Sequence, residues 1–479
     1  MSVTRRSMIG GMAAGLGLGL GAPRVFAQTA RLAGPEDLIA AAKLSGNVGY
    51  LVANARTGKI LEQRDANQPM PPASTLKAIT SLYALSTLGP SGRFATRLMA
   101  TGPVRGGVIQ GDLILAGGGD PTLSTDDLAA MAAALRAKGV SGVTGRFWVW
   151  GGALPYEHEI AGDQPVHVAY NPAVSGIMLN SNRVFFQWKR AGNGYQIGLA
   201  AKADRNMPTA YTASMSVANR KSPLFTYSDG GGKELWTVAQ PSLGKSGNRW
   251  LPVRQPALYA GDVFQTLARA QGIPLPGPEE LRGLPSGEVL VDHGSIGLRA
   301  VLQDMLKYST NLTAEAVGLA TSARLGAGGS LAASGRAMGD WLRAQTGASS
   351  ARFVDHSGLG AASRISAAEM TGALARLGPG VDLRPILRNI PLRDAQGKVI
   401  ANHPIKVQAK TGTLNFVSTL TGYVSAPGGT ELVFTIFTGD VARREASARS
   451  EAPEGSRGWI GRSKRLQQQL IERWSAAYG

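Results

Sequence analysis

The stretch PPASTLKAIT, residues 71–80, sets a serine and a lysine three positions apart. Pro69, Pro71 and Pro72 break the chain just before it, and an apolar helical pattern follows. On a helix, positions i and i+3 share a face one turn apart, so the Lys77 amine reaches the Ser74 hydroxyl. That pair can form a nucleophile and its base. A helix start helps, because its free backbone N–H groups favour the negative charge that develops on an attacking oxygen or a tetrahedral oxyanion. Lysine serves as a base only when its pKa falls towards neutrality, which burial and a second nearby cation supply.

Ser-x-x-Lys alone has little specificity. The chain carries a second copy, Ser242 to Lys245 in PSLGKSGNRW, whose proline and glycine surroundings offer no helix to align the two side chains. Two further pieces narrow the chemistry. KYSTNLTAE places Ser309 and Asn311 between two helical patterns, and AKTGTL places Lys410, Thr411, Gly412 and Thr413 on a strand. Ser-x-Asn recurs at Ser45/Asn47 and Ser246/Asn248, whereas Lys-Thr-Gly occurs once. The weight lies in all three in order: a helix start, a helix junction, and a strand followed by two more.

The elements that must position these groups can be read from periodicity. VGYLVANARTGKILEQRDAN reads as a hairpin turning at Thr57-Gly58. From Ser74 to Gly89 the apolar positions Leu76, Ile79, Leu82, Tyr83 and Leu85 follow helical spacing, and the helix is apolar around most of its circumference, as a buried helix is. Residues 91–288 change to short β-prone pieces separated by Gly, Pro and Asn. Among them GIMLNSNRVFFQWKR and GYQIGLAAKAD read as strands, and TDDLAAMAAALRAKG and YAGDVFQTLARAQG as helices. From about residue 295 four helical patterns return, then three strands, IKVQAKTGTL, STLTGYVSAP and TELVFTIFTGDV, and a last amphipathic helix. The expected class is α+β. One antiparallel sheet, flanked by helices, is built from both ends of the chain. The expected division is a catalytic unit of residues 28–90 and 289–479 and an inserted region, 91–288. The insertion is read as two small domains, with about 103–155 nested in the remainder.

Composition bounds the setting. The chain has 479 residues, is 43% hydrophobic and 17% charged, and contains no cysteine, which excludes thiol catalysis, disulfides and cysteine metal sites. TRRSM, an uncharged Gly-rich apolar run and VFA ending at Ala27 resemble a twin-arginine export signal over residues 1–27, cleaved near Ala27. The expectation is a periplasmic protein. The formal charge of +18 favours an anionic partner. No zinc-finger spacing, RNP-like strand or concentrated basic helix accompanies it, so nucleic acid is not the expected partner, and anionic cell-wall polymer or a membrane surface is. Arg462, Lys464, Arg465 and Arg473 permit peripheral membrane contact.

With its three motifs, the chain resembles the serine penicillin-binding proteins and active-site serine β-lactamases. Within them it is most similar to the D-alanyl-D-alanine carboxypeptidase/endopeptidase family of low-molecular-mass class C penicillin-binding proteins. The long gap from Ser74 to Ser309, the stretch GVIQGDLILAGGGDPTLSTDDLAAMAAALRAKGVSGVTG, and FVDHSGLGAASRIS carry that likeness. The resemblance implies a transpeptidase-like fold with a large α+β insertion. It also implies a DD-peptidase acting on peptidoglycan stem peptides, inhibited covalently by β-lactams, with no cofactor. It makes Ser74 the acylated nucleophile, Lys77 its general base and Ser309 the relay of a proton to the leaving group. Asn311 would hold the substrate amide and orient Lys77, and Lys410 would lower the pKa of Lys77 by its charge. Lys410, Thr411 and Thr413 would attract the substrate's terminal carboxylate. Gly412 would let the substrate backbone lie close, and the N–H groups of Ser74 and Thr413 would form an oxyanion hole. The family usually has Gly where His356 stands and Ser where Gly360 stands.

Other readings are bounded by the same residues. Asp355-His356-Ser357 cannot form a Ser-His-Asp triad, because adjacent side chains diverge, and is read as a turn. The five histidines show no metal-ligand spacing. Asp163 is read as a surface aspartate that could instead meet a free amine of the substrate. A β-lactamase would need a glutamate-positioned water, and between Asn311 and Lys410 only Glu315 and Glu369 occur, without the Glu-x-x-Leu-Asn context. A non-catalytic wall-binding scaffold on the same fold is the alternative of a different class.

Overall fold

The structure, a computed structural model, describes residues 32–479; the expected export signal lies outside the described residues. Its organising element is a six-stranded sheet in the order Arg388–Asn389, Lys406–Leu414, Val417–Ser425, Glu431–Gly439, Asn47–Asn54, Ile60–Arg64. Every neighbouring pair is antiparallel. Asn47–Asn54 pairs along its whole length with Glu431–Gly439, so both ends of the chain meet in one sheet, as the sequence pattern implies. The hairpin turns through Gly58 at φ 73°.

Alternation along these strands builds two cores. Val48, Tyr50 and Val52 point to one face and pack with Leu466, Leu470 and Trp474 of the helix Ser456–Tyr478. Leu51 and Ala53 point to the other, against Leu76, Ile79 and Leu82 of the helix Leu76–Leu88 and the helices around it. A strand covered on both faces reads as a continuous apolar run, and the burial of Val417–Ser425 and Glu431–Gly439 shows it. Trp474 is fully buried 5.5 Å from the Tyr50 ring. Burial of an aromatic side chain of this size contributes roughly 2–3 kcal/mol. Of the four basic residues near the end of the chain, Arg462 donates to the carbonyls of Ala42 and Lys43, and Arg473 pairs with Glu62. Lys464 and Arg465 remain exposed.

Strands Ala95–Ala100, Leu113–Gly117, Phe147–Trp150, Pro278–Glu280 and Glu288–Gly294 form a five-stranded sheet, whose last strand runs past residue 288. The two three-stranded sheets formed by strands between Arg183 and Pro252 share one apolar core with it. One local expectation changes. GIMLNSNRVFFQWKR does not begin as a strand: Asn180, Ser181 and Asn182 all take positive φ, and the strand starts at Arg183. Asparagine tolerates the left-handed region, and here hydrogen bonds hold it there. Asn180 exchanges bonds with Thr125, and Asn182 donates to the Ala173 carbonyl.

Candidate active site

Ser74 does sit at the entry to the buried helix, in a one-turn 3-10 segment, Ala73–Thr75, that runs into Leu76–Leu88. The prolines anchor this entry to the sheet, since the Pro72 carbonyl accepts from Thr75 Oγ1 at 2.6 Å and from Thr419 Oγ1 at 2.8 Å. Ala73, fully buried just before the serine, is held at φ 46°, an unfavourable backbone for a residue with a Cβ. Gly358 makes the room for it: a Cβ there would stand 1.9 Å from the Ala73 oxygen.

Lys77 Nζ donates to Ser74 Oγ at 3.0 Å, to Asn311 Oδ1 at 2.7 Å and to the Ser357 carbonyl at 2.9 Å. The three partners come from three different segments and fix the amine. Lys410 Nζ donates to Ser309 Oγ at 2.9 Å and to the Thr411 carbonyl at 2.6 Å. Ser309 ends the helix Leu298–Tyr308 at φ 60°, and this left-handed turn separates it from the helix Asn311–Arg324. The first and second motifs are thus joined through Lys77 and Asn311, and the second and third through Ser309 and Lys410.

Burial sets the electrostatics. Lys77 is wholly enclosed, and desolvation lowers its pKa to about 8 against the opposing pull of Glu315 and Asp355. Removal from water is the main cause at Lys77, and repulsion between the two neighbouring amines adds to burial in lowering Lys410. Lys410 falls well below its usual pKa through burial first, then Lys77 and Arg388. Glu315, also buried, is pushed up to about 8 by desolvation and by Asp355.

Ser74, Ser309, Asn311 and Thr413 line one cavity of about 270 Å³, together with Asp163 and Tyr170. Asp163 faces this cavity and pairs with Arg444 at 3.3 Å. Thr411 and Gly412 line a neighbouring cavity, of about 250 Å³, beside Thr419 and Gln467. The glycine is also required by the fold. A Cβ at Gly412 would lie 2.1 Å from Thr419 Oγ1 and 2.9 Å from the Ser74 nitrogen, so its absence lets the strand close on the nucleophile's own backbone.

Several groups of the site escape the motifs. Glu315 accepts from the backbone N–H groups of His356 and Ser357 at 2.8 and 3.0 Å, and so fixes the residue, Ser357, whose carbonyl receives Lys77. Asn311 Nδ2 donates to the Tyr170 carbonyl at 2.9 Å, a contact from the 91–288 region. Glu315 lies one helical turn after Asn311, a spacing that could have drawn notice; the Tyr170 contact leaves no local signal. His356 lies in the turn expected, neutral because burial lowers its pKa to about 3, with Nε2 2.7 Å from Ser334 Oγ. Its ring occupies the space that a Cβ on Gly318 would need. The absence of a side chain at Gly318 thus accommodates the His356 ring.

The chain is similar to known proteins in sequence and in fold. The chain is 29% identical over 465 residues to the D-alanyl-D-alanine carboxypeptidase of Actinomadura sp. (strain R39), covering 85% of this chain and 83% of that one. Penicillin binding protein 4 (dacB) from Haemophilus influenzae superposes with a TM-score of 0.75 at 20% identity, over 91% of this chain and 99% of the other. Its complex with a β-lactam superposes with a TM-score of 0.71. The Bd3459 predatory endopeptidase of Bdellovibrio bacteriovorus, solved with an immunity protein, gives 0.51 at 15% identity, over 90% and 94%. A model of the D-Ala-D-Ala carboxypeptidase 3 (S13) family matches residues 35–456, and by that match, spanning the helix entry, the helix junction and the strand that frame the cleft, the chain belongs to the S13 family.

Proposed function

We propose that the protein is a serine DD-peptidase of peptidoglycan, which removes terminal D-alanine or cuts D-Ala-to-diamino-acid crosslinks through an acyl-enzyme on Ser74. The observation that carries this reading is the Lys77 amine, 3.0 Å from Ser74 Oγ and desolvated enough to lose its proton near neutrality. In the acylation step the Ser74 hydroxyl loses its proton to Lys77 and its oxygen attacks the D-alanyl carbonyl. The N–H groups of Ser74 and Thr413 stabilise the oxyanion. The C–N bond breaks as Ser309, bonded to Lys410, delivers a proton to the departing nitrogen. Asn311 holds Lys77 in line, and Lys410, Thr411 and Thr413 attract the terminal carboxylate by charge and hydrogen bonding. Water then hydrolyses the ester. Asp163, facing the same cavity, is suited to a free amine on the acyl strand. Export to the periplasm, with residues 1–27 removed, supplies this substrate, and residues 91–288 act as an insertion whose Tyr170 segment walls the cleft.

β-Lactams acylate Ser74 and leave slowly on this reading. Neither glutamate of the interval is free to position a deacylating water: Glu315 accepts from two backbone amides, and Glu369 caps the helix Ala367–Leu377 while accepting from Ser350. The test is labelling with a fluorescent penicillin followed by mass analysis of crosslinked and monomeric muropeptides. A stable adduct on Ser74 with loss of D-alanine or of the crosslink is expected; rapid catalytic turnover of penicillin contradicts it.

A further inference from the structure

Two cavities meet at Tyr170, Ser309 and Asn311. The first holds Ser74 and Asp163. The second, about 280 Å³, runs between Tyr170 and Tyr308 to Ser181 and Arg183. Both tyrosines are exposed, Tyr308 by 64%. Beyond Arg183 a further hollow of about 260 Å³ continues past Lys202 and Trp250. A continuous groove therefore leaves the catalytic serines on the side of Ser309, across the surface of the 91–288 region.

Arg183 is unusual within it. The guanidinium lies 5.2 Å over the Trp250 ring and makes one long bond, Nε to the Asn180 carbonyl at 3.4 Å. Its two Nη groups have no protein acceptor among the described residues, and none of the described carboxylates forms an ion pair with it. Burial works against its charge. Asp126, in the farther hollow, is engaged by the amides of Arg205 and Asn206. The three left-handed residues before Arg183 explain how it reaches the groove: they turn the chain sharply and are held by side-chain bonds that overcome their cost. A half-buried, unpaired arginine at the mouth of a catalytic cleft calls for an anion, and a planar fork fits a carboxylate.

We propose that this groove is the subsite for the leaving strand of a crosslinked substrate, a carboxylate-bearing peptide whose acid pairs with Arg183. The inference rests on the DD-peptidase reading. In that reaction the scissile C–N bond breaks at Ser309, so the strand that departs with the new amine lies where the groove begins. The acyl strand remains with Ser74 on the side of Asp163. Tyr170 and Tyr308 flank the departing strand, and Arg183 holds a carboxylate of it farther from the scissile nitrogen than the one Lys410 attracts; this farther carboxylate is the one that amidation modifies in the test.

The test uses the full enzyme with purified crosslinked muropeptide dimers, a monomeric pentapeptide and a fluorescent penicillin. Arg183→Met is expected to lower kcat/KM on dimers about tenfold, the loss of one charge-assisted contact, with a far smaller change on the monomer and in penicillin acylation. Equal losses on all three would make Arg183 a structural support and overturn the proposal, as would an unchanged dimer rate. Amidating the leaving strand's carboxylate should weaken wild type and leave Arg183→Met unaffected; an equal penalty in both rules out the carboxylate. Tyr308→Ala, at an exposed position, should lower the dimer rate selectively, and an unaltered rate counts against the groove. Dimer binding to Ser74→Ala separates the two readings. Absence of penicillin labelling in wild type sinks the DD-peptidase reading, whereas the groove fails if adding Arg183→Met to Ser74→Ala leaves dimer binding unchanged.

Discussion

Ser74 with Lys77 and Ser242 with Lys245 are the same four-residue pattern in two settings. The first spans a 3-10 turn and the buried helix it opens, with the lysine amine bonded to its serine. The second spans the end of a 3-10 turn and an exposed loop, where Ser242 Oγ bonds back to the Ala239 carbonyl and the lysine side chain is exposed. Proximity in sequence is identical; desolvation differs. A solvated amine keeps its proton at neutral pH and cannot take another, so what separates the two is the enclosure around the lysine. That enclosure is made by Asn311 and Ser357, residues far away in the chain.

The contrast can be broken first at the serines. Ser74→Ala should abolish penicillin labelling, and Ser242→Ala should retain it in full; a labelled Ser74→Ala protein would remove the basis of the comparison. Next come the lysines. Lys77→Met should slow acylation by about 10³-fold, the range of a lost general base, while Lys245→Met leaves the rate constant unaltered in stopped-flow labelling. The pH profile sharpens the point. The neutral form of Lys77 is the active one, so the acylation rate should rise with pH and level off above about 8, the value to which burial lowers it. A rate that falls as pH rises from neutrality to that value would reverse the assignment. Smallest is the effect of Glu315→Gln, which replaces one of two accepting oxygens beneath the Ser357 peptide. A loss of roughly tenfold in acylation is expected, the cost of one mispaired buried amide, with penicillin binding before acylation little affected.

Much of this site could be read from residue types because its chemistry is concentrated in three short motifs. The two-ended sheet was legible too, since period-two strands stood at both ends of the chain. What the sequence concealed shares one cause, contact between distant segments. Glu315 acts on a peptide of another loop, Tyr170 reaches Asn311 from the inserted region, and Gly318 makes room for His356. The Asn180–Asn182 turn was hidden differently, because strand-forming neighbours masked a left-handed bend that only its bonds to Thr125 and Ala173 reveal. Thr411 and Gly412 show the limit of motif logic: Lys410 bonds to Ser309 and Thr413 lines the cavity of Ser74, yet the two residues between them line the next one.

The pairing of Asn47–Asn54 with Glu431–Gly439 also orders events in time. On the ribosome the first strand waits for a partner made long after it, while the core within 98–291 has all its residues before that partner emerges and can close first. Lys77 is enclosed by segments synthesised long after it, so the amine is hydrated and protonated throughout elongation. The pair is therefore enclosed only after those later segments are made, and a chain that lacks them carries the motif without the enclosure.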